Sequence, residues 1–261
     1  MIEELAQRFG RWAVIAGASE GLGAAFARAL ARRGMDLVLV ARRAEPLEEL
    51  ATRLRAELAV EVRTVALDLG APDAIEQLHR STATLEIGLA IYNAAYAPIG
   101  DVVATAPEDL LRVVDVNVRA PLLFARSFAA PMVVRRRGAI VLVSSVAGMQ
   151  GTPRLSTYAA SKAFLRVLGE GMWGELRRSG VEVLVVTAGA IRTPGYKGAS
   201  KREAPGTLDP DEVALRTIAA IGRGPNVIPG WLNRIAAWIV GRLFPRRLAI
   251  ATMAASTSEL R

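Results

Sequence analysis

Apolar residues in this chain fall into short continuous runs and not into strict alternation. Residues 12–16, 36–41, 61–67, 88–92, 139–143 and 181–186 are rich in Val, Leu, Ile and Ala, and each run is separated from the next by a helical segment. A run that is apolar at consecutive positions offers no face to water, which is the pattern of a strand buried on both sides. Residues 24–33 and about 46–58 read as helices, the second charged and amphipathic. Strands alternating with helices predict an α/β fold: a doubly wound parallel sheet of about seven strands with helices on both faces. No internal repeat, low-complexity tract or linker interrupts the pattern, so residues 1–261 are expected to form one domain.

Two stretches depart from the alternation. Residues 192–208 are rich in Gly, Pro, Lys and Arg and show no clean period. A connection that long in a compact domain is a functional lid or a disordered stretch. Lys197, Lys201 and Arg202 are read as solvated loop charges in preference to an anion site. Residues 231–244, from Trp231 to Phe244, form an apolar helix that opens a C-terminal extension of about 231–256. Such a helix would be about 21 Å long, short of the roughly 30 Å hydrocarbon core, so no transmembrane span is expected. Three roles suit it: a cap over a substrate crevice, a subunit contact, or an interfacial helix on anionic lipid.

Composition narrows the chemistry. The chain has no Cys and one His, which removes thiolate nucleophiles, disulfides and Cys/His zinc sites. His79 sits in a polar stretch and reads as a surface residue; no metal site is expected. The net charge of +8 comes from dispersed basic residues without interleaved aromatics, so nucleic acid is not an expected partner. The acidic, weakly apolar start is not a signal peptide, and a cytoplasmic location is the default expectation.

Polar candidates collect where the strands end. Gly17-x-x-x-Gly21-x-Gly23 lies between the first strand and a helix, with Ser19, Glu20 and Leu22 inside the turn. Glycines there let the backbone approach a dinucleotide while the helix N-terminus faces its pyrophosphate. The spacing differs from both the G-x-G-x-x-G fingerprint and the P-loop. Arg42-Arg43, Asp68-Leu69, Asn93-Ala94-Ala95, Ser144-Ser145 and Ala188-Gly189 close the second to sixth strands. In an open parallel sheet the carboxyl ends of the strands border one crevice, so these residues should converge. Tyr158 and Lys162 are four apart on a helix and therefore share a face. A cation beside a phenol favours the phenolate, so Lys162 is expected to bring Tyr158 towards the range useful to a general acid or base.

Together these motifs resemble the short-chain dehydrogenase/reductase family over nearly the whole chain. The resemblance rests on the glycine turn, Asp68-Leu69, Asn93-Ala94-Ala95, Asn117, Ser145, Tyr158-x-x-x-Lys162 and Gly189-x-Ile191-x-Thr193. It implies a Rossmann-like fold, a small-molecule substrate, a substrate loop at about 190–208, and a catalytic set of Asn117, Ser145, Tyr158 and Lys162. In that family the second Ser of such a pair is the catalytic one, Asn117 sits in the long helix after the fourth strand and helps hold a relay water, and Lys162 also binds the nicotinamide ribose. The cofactor set implied is Gly17, Ser19, Glu20, Gly21, Leu22, Gly23, Arg42, Arg43, Asp68, Leu69, Asn93, Ala94, Tyr158, Lys162, Gly189, Ile191 and Thr193. A homodimer or homotetramer is expected.

The sequence departs from the family pattern at Ala16, Ala95 and Ala188, all in supporting positions. Ala41 offers no carboxylate to a ribose 2′-hydroxyl, whereas Arg42 and Arg43 suit a 2′-phosphate, so NADP(H) is favoured over NAD(H). Glu20, by contrast, would repel that phosphate. The expected reaction is hydride transfer between NADP(H) and a carbonyl or secondary alcohol, with a hydrophobic substrate. An epimerase or dehydratase of the same family, and a dinucleotide sensor or scaffold without turnover, are the alternatives.

Overall fold

The computed structural model describes residues 3–199 and 202–258. Seven strands form one parallel sheet: β1 (Trp12–Ala16), β2 (Asp36–Ala41), β3 (Val62–Ala66), β4 (Ile87–Tyr92), β5 (Gly138–Ser145), β6 (Val181–Ala188) and β7 (Asn226–Val227). Their order is β3-β2-β1-β4-β5-β6-β7. The first six match the apolar runs, with β5 and β6 extending two residues further to include Ser145 and Ala188. β7 has only two residues, too short to leave a periodic signal.

The helices are α1 (Glu3–Phe9), α2 (Gly21–Ala31), α3 (Ala44–Glu57), α4 (Ala74–Ser81), α5 (Pro107–Val114), α6 (Ala120–Val134), α7 (Ser156–Leu176), α8 (Pro194–Ala199), α9 (Pro210–Ala220), α10 (Trp231–Arg242) and α11 (Arg246–Thr257). A π-helical turn, Asp115–Arg119, joins α5 to α6.

Because successive strand residues point to opposite faces, one sheet feeds two cores. Ala13, Ile15, Leu37, Leu39, Leu89 and Ile91 pack with Phe26 and Leu30 of α2, Leu47 and Leu50 of α3, and Val213 and Ile218 of α9. Val14, Ala16, Val38, Val40, Ala90 and Tyr92 face the other way, against Leu78, Phe124, Phe128 and Leu165. This two-sided burial is why the runs read as continuous.

The sheet reverses direction of winding between β1 and β4, the switch point at which open α/β sheets bind ligands. The connection after β6 is more ordered than its composition suggests. It contains α8, and an Ile191–Leu208 bridge, an Arg192 N–H bond to the Leu208 carbonyl (2.9 Å) and an Arg192–Glu203 ion pair (2.5 Å) tie its two ends. Lys197 is exposed, and Lys201 lies outside the described residues. The C-terminal extension is two helices broken at Pro245, where a residue lacking an N–H starts a new turn. Among the described residues no helix is long and apolar enough to cross a membrane.

Candidate active site

A crevice of about 1150 Å³ opens along the carboxyl ends of the strands. It is bordered by every residue named above for the cofactor or for catalysis except Gly23 and Asn117, which lie behind its wall. Gly189, Ile191 and Thr193 enter it from the segment after β6. His79, by contrast, is exposed on α4, with its ring edge-on to Phe128.

The glycine turn is shaped by close backbone approach. Gly17 has φ +84° and Gly21 φ +56°, a region that side chains with a Cβ rarely adopt. A Cβ on Gly23 would lie 1.9 Å from the Gly17 carbonyl oxygen, and one on Gly17 would lie 2.6 Å from Ala94 N. The turn is fixed from β2 and β4: the N–H groups of Gly17 and Ala18 bond the Val40 carbonyl, and Asn93 Nδ2 donates to the Gly17 carbonyl at 2.9 Å. Glu20, just before α2, makes no side-chain cap bond, so the first-turn N–H groups of α2 face the crevice without a side-chain acceptor. Thr193 closes over Gly21 from the far side. A cradle without side chains at a helix N-terminus fits a dinucleotide pyrophosphate.

At the end of β2, Arg43 pairs with Glu20 at 2.7 Å, while Arg42 projects exposed beside it. Glu20 is therefore a paired carboxylate and not the free negative charge that its place in the turn suggests. Asp68 accepts from Arg112 at 2.8 and 3.1 Å and from Gly70 N at 3.0 Å. Its partial burial opposes ionisation, but these bonds and the Arg112 and Arg42 charges outweigh it and hold its carboxyl below the usual range. Arg112 also lies over the Tyr96 ring, whose hydroxyl donates to Asp109 at 2.5 Å.

Asn117 sits in the π-helical turn and is fully buried. Its Oδ1 accepts from Tyr96 N (2.8 Å), and its Nδ2 donates to the Tyr96 carbonyl (2.8 Å) and to Ser161 Oγ (3.1 Å). Ser161 Oγ in turn donates to the Tyr158 carbonyl at 2.7 Å. Asn117 thus joins the strand-end loop after β4 to the helix that carries Tyr158. The expected long helix is present, with one extra residue in the turn that aims the amide inward.

Tyr158 and Lys162 share a face of α7, with Lys162 Nζ 5.5 Å from the centre of the phenol ring. Lys162 Nζ donates to the Val143 carbonyl (2.8 Å), and Ser144 Oγ donates to the Lys162 carbonyl (2.6 Å), so α7 is clipped to the end of β5 at two points. Ser145 Oγ accepts from Ala147 N at 3.2 Å and is hydrogen-bonded to the Tyr158 phenol. Burial pushes the Tyr158 phenol up, partly offset by the Ser145 bond, and pushes Lys162 down to about 8. This corrects the expectation of a lowered Tyr158: the same burial that places the pair beside the crevice raises the cost of charging either group.

Three residues of the site were not singled out in the sequence. Tyr96 and Arg112 link Asp68 to Asn117. Asn233 of α10 is buried and packs on Gly189, donating from Nδ2 to the carbonyls of Gly206 (3.0 Å) and Pro229 (3.1 Å). It is the one uncharged polar residue in an apolar, Arg-bearing helix, and that contrast is its only signal.

Comparison with known proteins assigns the family. The profile of the short chain dehydrogenase family matches residues 11–204. A 7beta-hydroxysteroid dehydrogenase of Clostridium sardiniense is 31% identical over 231 residues, covering 87% of this chain and 88% of that protein. A solved structure concerned with 7beta-hydroxysteroid dehydrogenase stereoselectivity superposes with a TM-score of 0.90 at 30% identity, over 95% of this chain and 98% of its own. A short-chain dehydrogenase from Sphingobium yanoikuyae, solved in complex with NADPH, superposes with a TM-score of 0.79 at 33% identity, over 96% of each chain. The chain belongs to the short chain dehydrogenase family and is an NAD(P)-dependent oxidoreductase of the CH-OH/C=O type.

Proposed function

We propose that this enzyme interconverts a ketone and a secondary alcohol on a bulky apolar skeleton, using NADP(H) in preference to NAD(H). The observation that carries this reading is the meeting of Ser145, Tyr158 and Lys162 in one crevice with a side-chain-free glycine cradle. When bound, the nicotinamide cofactor supplies or accepts the hydride. Gly17, Gly21 and the α2 N-terminus would hold its pyrophosphate, and Arg42 and Arg43 its 2′-phosphate. Asp68, Leu69, Asn93, Ala94, Ile191 and Thr193 would line its remaining length.

The proton chemistry belongs to the protein. Ser145 Oγ accepts from Ala147 N, and its hydroxyl, hydrogen-bonded to the Tyr158 phenol, would turn to donate to a carbonyl oxygen brought between the two, where negative charge develops. The raised Tyr158 pKa keeps the phenol protonated at neutral pH, ready to give its proton to that oxygen during reduction. Lys162, with a pKa of about 8, is mainly an ammonium at pH 7 and stabilises the phenolate that remains. Asn117 acts as a positioning residue for Tyr158 through Ser161.

The substrate end of the crevice supports an apolar skeleton. Ile99, Met149, Leu155, Val240, Ala236 and Met253 border it, with polar positions among them at Gln150, Asn233, Thr252, Ser256 and Thr257. The relatives named as 7beta-hydroxysteroid dehydrogenases point to the same substrate class. A panel of bulky and small ketones, assayed by absorbance with NADPH and with NADH, tests the reading. Turnover of bulky polycyclic ketones with NADPH is expected to exceed that of small ketones and of NADH by at least about tenfold in kcat/KM, which corresponds to about 1.4 kcal/mol. Equal use of NADH, or activity confined to small polar carbonyls, would contradict it.

A further inference from the structure

The outer surface of α10 and α11 differs chemically from the rest of the molecule. Trp231, Ile235 and Trp238 follow at helical spacing on the side of α10 opposite Asn233 and Ala237, which face the crevice. Trp231 is 61% and Trp238 57% exposed, and Leu232, Leu243, Phe244 and Leu248 extend the surface. Seven of the fifteen large apolar side chains exposed among the described residues thus lie between positions 231 and 248, so this surface is concentrated and not scattered.

Charge identifies what covers it. Residues 213–258 contain six arginines, at 216, 223, 234, 242, 246 and 247, and no Asp or Glu. Arg234, Arg242 and Arg247 are exposed on these two helices, and Arg246 donates to the Met149 carbonyl at 3.1 Å. A two-fold contact through this face would set arginine against arginine, because an isologous interface applies one patch to itself. A surface of anionic headgroups over an apolar interior complements both features, with indole rings at the boundary and guanidinium groups among the phosphates. At 12 residues, α10 is about 18 Å long and lies along such a boundary without crossing it.

We infer that the exposed face of α10 and α11 docks the enzyme on anionic lipid bilayers. The inner faces of the same helices wall the crevice, so the docked enzyme holds its substrate site one helix away from the bilayer. Docking and turnover are separable, and the binding is measured without reference to the reaction.

The test is flotation of the full chain with phosphatidylcholine vesicles and with vesicles containing about one third phosphatidylglycerol. At low ionic strength about tenfold more protein should float with the anionic vesicles, and the excess should vanish at about 0.5 M salt, where the Debye length falls to a few ångströms. Arg234→Glu/Arg242→Glu/Arg247→Glu should lose the excess. Trp231→Ser/Trp238→Ser should weaken binding several-fold while keeping the melting temperature. No flotation with anionic vesicles would overturn the proposal, as would equal flotation with both kinds. So would a stable dimer in sedimentation that the double Trp variant dissolves, which would assign the face to a second copy.

Discussion

Lys162 carries a cost that its partners only partly offset. It is 2% exposed, and burial holds its pKa at about 8, below the ordinary 10.5. Between those values the unfolded chain binds a proton that the folded chain does not. The cost is therefore fully present below about pH 8 and is relieved as pH rises towards 10.5. A shift of that size corresponds to about 3 kcal/mol. Denaturant unfolding of wild type and Lys162→Met at pH 7 and pH 10.5 should show the difference moving in favour of wild type by about that amount; a pH-independent difference would contradict it. Spacing four apart revealed that Tyr158 and Lys162 share a face, because that follows from helix geometry alone. Their pKa directions were not legible, since burial is decided by strands and loops remote in sequence. Glu20 shows the same boundary. Its place in the turn was readable, but its pairing with Arg43 depends on how β2 ends. Glu20→Ala should release Arg43 and tighten NADPH binding relative to NADH by a few-fold, about 1 kcal/mol, measured by fluorescence titration.

At the scale of elements, the π-helical turn does what neither flanking helix could do alone. One extra residue rotates Asn117 into the protein, where its amide satisfies both backbone groups of Tyr96. Asn117→Ala would leave that N–H and C=O without their partner, at about 1–3 kcal/mol for each group left unsatisfied. Urea unfolding should show a loss of that order, and kcat should fall because the Ser161 link to Tyr158 is also cut; unchanged stability would show that Tyr96 finds other partners. The hydrophobic period reveals a helix here but does not register one inserted residue, so the turn was invisible in the sequence. The glycine cradle was the opposite case, because a Cβ on Gly23 would lie 1.9 Å from the Gly17 carbonyl oxygen and only one residue type fits.

For the whole molecule, the sheet and its two cores were legible because buried parallel strands have no polar alternation to confuse the reading. Convergence of the strand ends on one crevice followed from that topology. What closes the crevice did not follow. The segment after β6 reads as featureless, yet a bridge and an ion pair tie its two ends together and Asn233 fastens it to α10. These contacts join residues whose own neighbours carry no periodic signal. The loop and the two terminal helices thus form one continuous wall of the crevice, the part of the molecule on which the proposed preference for bulky ketones depends.

The central claim is that Tyr158 moves the proton in this crevice, as distinct from a fold that only senses a dinucleotide. Its most direct test is Tyr158→Phe, which removes one hydroxyl and keeps the ring, assayed for NADPH oxidation with a bulky ketone and for NADPH affinity by fluorescence. General acid catalysis predicts a loss in kcat of about 10²- to 10⁴-fold with NADPH affinity within a few-fold of wild type. Turnover undiminished in the variant, or no turnover in the wild type with any carbonyl or alcohol while NADPH binds, would contradict it.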